Sequence, residues 1–332
     1  MAITGPLVTI AIPTYYRAGG YLRQALASAV AQTHPGVEIL VADNCSPDRT
    51  ADVVAEVGDA RTRYVRHDTN IGANANFNFC VEQARGRYFV LLHDDDRVDP
   101  DFVEACLAAV PDGAEVGIVR AGTRVVDDQD RLLWEMPNRA AGLTVPELFR
   151  AWFRGATTFY LCSTLFNTRR LRDEGGFRSR HNLFQDVAAA LKLAARHGRA
   201  DVEAVKGTFR KHPEAATSAA RLEHWCEDSR DLLDLMCELA GDPDGSLRRD
   251  GLRFLAQLNY NRAAALASWR ARSRAYLAVY RRFDYRYSPL TDIYRRQVRS
   301  RLYRLGARVK QAGRAGFSAL GGRAAGGSAV GS

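Results

Sequence analysis

This 332-residue sequence predicts an α/β fold, with a mostly parallel sheet flanked by helices and a helical C-terminal extension. Two observations carry the prediction. Short apolar, β-branched runs alternate with helical patterns through the first 110 residues, which is the mark of parallel βαβ units. From residue 222 onward the pattern is helical instead.

The elements follow in order. Residues 7–12 form an apolar strand that Pro13 is expected to end. Residues 21–32 place Leu22, Ala25, Leu26, Ala29 and Val30 at helical spacing. Residues 37–42 read as a second buried strand, 50–57 as a helix and 62–66 as a short strand. A helix over 75–84, a strand over 87–92 and a helix over 100–109 complete this half. Strand C-termini in such a sheet share one edge, where open α/β sheets bind ligands. Beyond it, residues 114–131 read as a hairpin turning at Asp127-Asp128-Gln129-Asp130, and 143–154 as a helix. Residues 157–166 are apolar and β-prone, and 187–196 form a helix stopped by Gly198. Residues 222–240 are a long amphipathic helix, closed by a turn over 241–245, and 249–282 continue in helical style.

The expected domains are an α/β domain over 1–215, with halves at 6–110 and 111–215, and a helical region over 216–312. A Gly-, Ala- and Ser-rich tail over 313–332 cannot bury enough apolar surface to order itself. The formal charge of +9 sits at the C-terminal end. Residues 281–332 hold twelve Lys or Arg against two acids, so the first 280 residues carry −1. Six cysteines with no CxxC pair are expected to be reduced thiols of a cytoplasmic protein. No apolar run approaches the about 20 residues that span a bilayer, and the N-terminus lacks a signal-peptide pattern.

The acidic run His93-Asp94-Asp95-Asp96 follows the strand Tyr88-Phe89-Val90-Leu91-Leu92. Adjacent carboxylates repel unless a cation joins them, and Mg²⁺ or Mn²⁺ binds through carboxylates together with substrate phosphates. A solvated acidic turn is the plainer reading of the triplet alone. Asp43 ends the second strand, where an acid can accept bonds from a ribose or a base edge. Asp48, close behind, is placed to cap the helix at Thr50. In Asn70-Ile71-Gly72-Ala73-Asn74, Gly72 permits a positive-φ turn, and the asparagines suit either a helix cap or a ligand. Pro13-Thr14-Tyr15-Tyr16-Arg17 offers aromatic and hydroxyl groups to a base, or forms a plain loop. Asp186, after Gly175-Gly176-Phe177 and Phe184-Gln185, reads as an N-cap or a general base. Arg210-Lys211-His212-Pro213 reads as a cationic loop for a diphosphate, with His212 a further metal ligand, or as a basic surface loop.

In this order, over residues 6–215, these segments resemble the family 2 glycosyltransferases of the GT-A fold. The resemblance implies an inverting, metal-dependent transferase that uses a nucleotide-sugar donor, most often a UDP-sugar. It implies donor binding by Pro13, Thr14, Tyr15, Arg17, Asp43, Asn70, Gly72, Asn74, Asp94 and Arg210. It implies a divalent cation, Mn²⁺ or Mg²⁺, among Asp94, Asp95, Asp96 and His212, with Asp186 as general base. The implied acceptor is a saccharide, a lipid-linked saccharide or a small natural product. Two positions depart from the family's pattern. His93 stands where Asp-x-Asp-Asp has its first acid, and Gln185-Asp186 replaces Glu-Asp.

Other classes fit less well. A dinucleotide oxidoreductase requires GxGxxG after the first strand, and none is there. A sugar-1-phosphate nucleotidyltransferase requires a Gly-rich phosphate loop at the same place. An inactive sugar-nucleotide-binding protein would keep the donor site without transfer. Residues 294–310 interleave six arginines with Val298, Leu302, Leu305 and Val309. A basic amphipathic helix of this kind suits peripheral contact with an inner membrane face or packing on the domain, and no nucleic-acid fold accompanies it.

Overall fold

A computed structural model describes residues 5–212 and 220–290. The basic segment 294–310 and the tail 313–332 lie outside the described residues. Strands β1 (Val8–Thr14), β2 (Val37–Asp43), β3 (Thr62–Arg66) and β4 (Tyr88–Leu91) alternate with helices α1 (Tyr21–Val30), α2 (Thr50–Val57) and α3 (Ala73–Gln83). Val8, Ile10 and Ile12 of β1, Ile39 and Val41 of β2 and Val90 of β4 lie in the core with Leu22, Ala25, Leu26 and Ala29 of α1. That α1 stripe, at i, i+3, i+4 and i+7, is the face a helix must turn inward. Burial on both faces of β1 explains its apolar run, broken only by Thr9, whose hydroxyl donates to Glu38.

β1 runs through Pro13, where the sequence predicts its end. The Ala11 carbonyl accepts from Leu92 N at 2.9 Å, so Ala11 and its alternate neighbours turn their polar groups toward β4. Pro13 shares that side but lies beyond the Ala11–Leu91 pair that ends the ladder, so its missing N–H costs no strand bond.

The second half comprises β5 (Arg97–Val98), α4 (Phe102–Ala108), β6 (Ile118–Val126), β7 (Leu132–Met136), α5 (Val145–Phe153), β8 (Thr164–Asn167), α6 (Thr168–Asp173), α7 (Gln185–His197) and β9 (Arg199–Arg210). Helices α8 (Leu222–Ala240), α9 (Ser246–Ala264) and α10 (Trp269–Arg282) follow. The helical stretch over 249–282 is therefore two helices, and Ser268 caps the second by accepting from Ala271 N at 3.1 Å.

One sheet runs β3-β2-β1-β4-β8-β6-β9-β5, with β7 also paired to β6. The first four strands are parallel, β8 opposes both its neighbours, and β9 is parallel to β6. The C-terminal ends of β1, β2, β4, β6 and β9 therefore open on the same edge. This is the GT-A architecture, a mixed sheet covered by helices, with a helical C-terminal region.

The chain divides into two compact units, Met1–Leu255 and Ala256–Ser332. All six cysteines are free. No helix among the described residues is long and apolar enough to cross a membrane.

Candidate active site

The acidic run turns sharply at the sheet edge, with Asp96 N donating to the His93 carbonyl at 3.1 Å. It is held from the far side by the end of β9. Arg210 N donates to Asp96 Oδ1 at 2.9 Å, and His212 Nε2 lies 2.7 Å from Asp95 Oδ2. The Arg210 guanidinium is 1% exposed and fully engaged: Nε donates to the Asp95 carbonyl at 3.1 Å and Nη2 to Gln24 Oε1 at 2.8 Å. Its Nη1 pairs with Asp130 Oδ1 at 2.9 Å, and the group lies 4.6 Å over the Tyr21 ring. Arg210 ends a strand rather than standing in a loop, and its charge is spent on holding the acidic turn.

Three acids so close affect one another. Burial and the neighbouring Asp95 charge push the Asp94 carboxyl up to about 7, while the Thr14 hydroxyl, the Arg17 guanidinium and the Tyr15 amide pull it down. Burial and Asp95 likewise raise Asp96 well above the usual carboxylate range. Ligand atoms of His93, Asp95 and Asp96 converge within 4.8 Å of one another. His93 Nδ1 is 3.8 Å from Asp96 Oδ2, and its buried Nε2 has no hydrogen-bond partner. Crowded acids with one imidazole among them form a donor set that fits a divalent cation. Asp94 faces the loop after β1, and His212 reaches the cluster through Asp95.

The loops after β1 and β2 are tied together. Tyr16, at φ 58°, donates its amide to Ser46 Oγ at 2.9 Å, and Ala18 N donates to Asp48 Oδ2 at 2.9 Å. Asp48 also accepts from Thr50 N at 3.2 Å, although Arg49, not Asp48, stands at the N-cap of α2, and no side-chain bond caps that helix. Tyr15 and Tyr16 are 47% and 64% exposed, so this loop presents aromatic faces to solvent. Asp43 is buried, accepting from Ser46 N at 2.9 Å and from the Tyr64 hydroxyl at 2.5 Å, with Arg66 Nε 3.7 Å away. Burial and the Asp43 carboxylate raise the Tyr64 hydroxyl above its ordinary range.

The asparagine segment braces the protein itself. Asn44 Nδ2 donates to Asn70 Oδ1 at 2.9 Å, and Gly72 takes the positive φ (85°) that its lack of a Cβ permits. Asn74 Nδ2 donates to the Phe177 carbonyl at 2.8 Å and to Gln185 Oε1. Asn78 closes a two-way bond with Phe177, donating to its carbonyl at 3.0 Å and accepting from its amide at 2.9 Å. The first half of the fold thereby fixes the turn that leads to Asp186.

Asp186 sits in the first turn of α7. Burial raises its pKa, while the Val187 amide and the charge of His93 hold it down. The His93 interaction couples Asp186 electrostatically to the metal-type cluster. Burial, and after it the charges of Cys162, Asp96 and Asp186, push the Tyr160 hydroxyl up to about 12. Asp228 of α8 supports the approach to α7, accepting from Ser179 Oγ at 2.7 Å, His181 N at 2.9 Å and Leu183 N at 3.1 Å.

Residues 9–202 match the family model "Glycosyl transferase family 2". The chain belongs to this family. It is 30% identical over 262 residues to the succinoglycan biosynthesis protein ExoO of Rhizobium meliloti, covering 76% of this chain and 71% of that one. The fold is similar to S. aureus TarS 1-349 in complex with UDP-GlcNAc, with TM-score 0.59 and 17% identity over 84% of this chain and 83% of that one. It is also similar to the mannosyltransferase PcManGT of Pyrobaculum calidifontis in complex with GDP-Man and Mn²⁺, with TM-score 0.52 and 20% identity, covering 84% and 82%.

For this glycosyltransferase the sequence reading treats His93 as a departure from an acidic motif, and the structure places it inside the convergent cluster. Its imidazole, a common metal ligand, is the signal that could have assigned it. Trp134, the aromatic neighbour of Tyr160 at 6.4 Å, carries no signal in the sequence. Only cross-strand register brings β7 to that place.

Proposed function

We propose that this glycosyltransferase moves a sugar from a nucleoside-diphosphate donor to an acceptor hydroxyl with inversion at the anomeric carbon. The observation that carries the reading is the convergence of His93, Asp95 and Asp96 within 4.8 Å at the sheet edge. His93, Asp95 and Asp96 would hold a divalent cation, Mn²⁺ or Mg²⁺. When bound, the cation neutralises the diphosphate and makes the nucleotide a better leaving group.

The chain's own groups do the rest. Tyr15, Thr14 and Asp43 frame the base and ribose at the ends of β1 and β2, and Asp94 with Arg17 closes that side. Asp186 accepts the acceptor's hydroxyl proton as that oxygen bonds the anomeric carbon. The bond from that carbon to the diphosphate oxygen breaks on the opposite face. Arg210 and His212 act by keeping Asp95 and Asp96 in place. The TarS complex with UDP-GlcNAc supports a UDP-sugar, and the succinoglycan relative supports a saccharide acceptor.

Calorimetric titration with UDP, dTDP and GDP, each with and without Mn²⁺, tests the reading. Metal-dependent binding of one diphosphate, lost in Asp95→Ala and Asp96→Ala, is expected. A folded sample that binds none of the three would overturn the donor assignment.

A further inference from the structure

The register of the sheet sets three residues in one row across its edge. Phe209 of β9 pairs with Val125 of β6, and Val125 pairs with Trp134 of β7. Phe209 directly precedes Arg210, whose amide holds Asp96. Tyr160 lies on this row, stacked on Phe209 with ring centroids 4.6 Å apart and planes at 29°, and 6.4 Å from Trp134 at 46°. Tyr160 and Phe209 are partly buried against the core, Trp134 is 39% exposed, and Leu132 is 58% exposed. The row therefore starts beside Arg210, which braces Asp96, and runs outward to solvent at Trp134. An exposed indole on an edge strand is an unfavourable surface unless something covers it.

We infer that Trp134, with Tyr160, is the platform of the acceptor subsite and takes a pyranose ring against its face. This rests on the transferase reading above and adds the chemistry of the acceptor to it. A pyranose presents a patch of C–H bonds on one ring face and hydroxyls around its rim. The C–H patch matches the electron-rich face of an aromatic ring and sheds water in meeting it. The rim needs polar partners, and the Thr158 hydroxyl, half-buried two residues before Tyr160 and 3.4 Å from Thr123 Oγ1, stands where they are needed. A sugar stacked along the row points a hydroxyl back toward Asp186. Large apolar pockets with a few placed polar groups are the general form of such sites.

The test uses the full chain with Mg²⁺ and the nucleoside diphosphate that it binds, probed on an array of pyranose oligosaccharides and then by titration with those retained. Wild type is expected to bind a subset. Trp134→Ala should weaken that binding about tenfold or more, as loss of a stacking face does. Trp134→Phe should stay within about threefold, and neither change should alter diphosphate affinity. Equal oligosaccharide binding by Trp134→Ala would overturn the platform. So would a wild type that binds diphosphate normally and no oligosaccharide, an outcome that leaves the transferase reading standing. Loss of both bindings in folded wild type would remove the two together.

Discussion

The Arg210 amide donates to the Asp96 carboxylate at 2.9 Å, so the last residue of β9 sets the position of an acid at the far end of the β4 loop. The two residues are 114 apart in sequence, and the bond is buried. The Arg210 side chain repeats the link through the Asp95 carbonyl and extends it to Gln24 and Asp130. The metal-type cluster is thus a product of the whole sheet rather than of one loop.

Arg210→Ala is therefore expected to weaken both the fold and the cation site. Removing a buried guanidinium leaves several acceptors without a donor, a loss of roughly 3 kcal/mol. Arg210→Lys keeps the charge but not the planar fork, and should fall between the two. Urea unfolding and Mn²⁺ titration measure the two effects. A variant with unchanged midpoint and unchanged Mn²⁺ affinity would show that Arg210 does not brace the turn.

Asp186→Asn should lower kcat by about 10²–10⁴ while leaving diphosphate binding nearly as it was, because general-base help is of that size. The pH dependence follows from the raised pKa. Only the ionised carboxylate accepts a proton, so kcat should fall as pH drops through a value above the ordinary Asp range of about 4. Stability runs the other way. A carboxyl whose folded pKa is raised binds its proton better in the folded state, so its ionisation costs stability as pH rises from the unfolded pKa to the folded one. Asp186→Asn should then unfold at a higher temperature than wild type at pH 7, and the gap should close on acidification below the unfolded pKa. A lower melting temperature at pH 7 would contradict burial as the cause of the shift.

How far the sequence could be read depended on where each signal lay. α2 and α8 match the hydrophobic pattern residue for residue, because each buries one local stripe. β9 escaped that reading. Its stretch Ala200-Asp201-Val202-Glu203-Ala204-Val205-Lys206 loses alternation midway, and its register against β6 shifts twice there. Arg210 therefore reads as part of a cationic loop, although it is the buried end of a strand. β5 is two residues long and exists only through pairing with β9. The candidate residues Asp43, Asp94, Asp95, Asp96 and Asp186 stand out in the sequence because each ends a strand, follows one closely or lies in the first turn of a helix. A supporting residue such as Asp228 does not, since only tertiary packing brings it against the 179–183 segment.

Asp228 illustrates the hidden kind. Its carboxylate gathers the Ser179 hydroxyl and the amides of His181 and Leu183, and is 1% exposed. Asp228→Ala strands these donors in the interior, at a cost of about 3 kcal/mol. The segment they fix leads directly into Asp186, so kcat should drop severalfold with diphosphate affinity unchanged. Unfolding in urea and single-turnover rates separate the two losses. A stable variant with normal kcat would place the 179–183 segment outside the control of α8.

Gly176 and Asn78 form a coupled pair that can be tested as one. Gly176 has φ 72°, and a Cβ there would lie 2.3 Å from Asn78 Oδ1, the atom that accepts from Phe177 N at 2.9 Å. Gly176→Ala should cost about 1–3 kcal/mol, part from the backbone and part from pushing Asn78 off Phe177. Asn78→Ala alone loses the Phe177 bonds but makes room for the new methyl. In the double variant the displacement of Asn78 is counted once, so its loss should be smaller than the two single losses together by about 1 kcal/mol. Additive losses would mean that the backbone conformation of Gly176 alone sets the requirement for glycine, with Asn78 free to move aside.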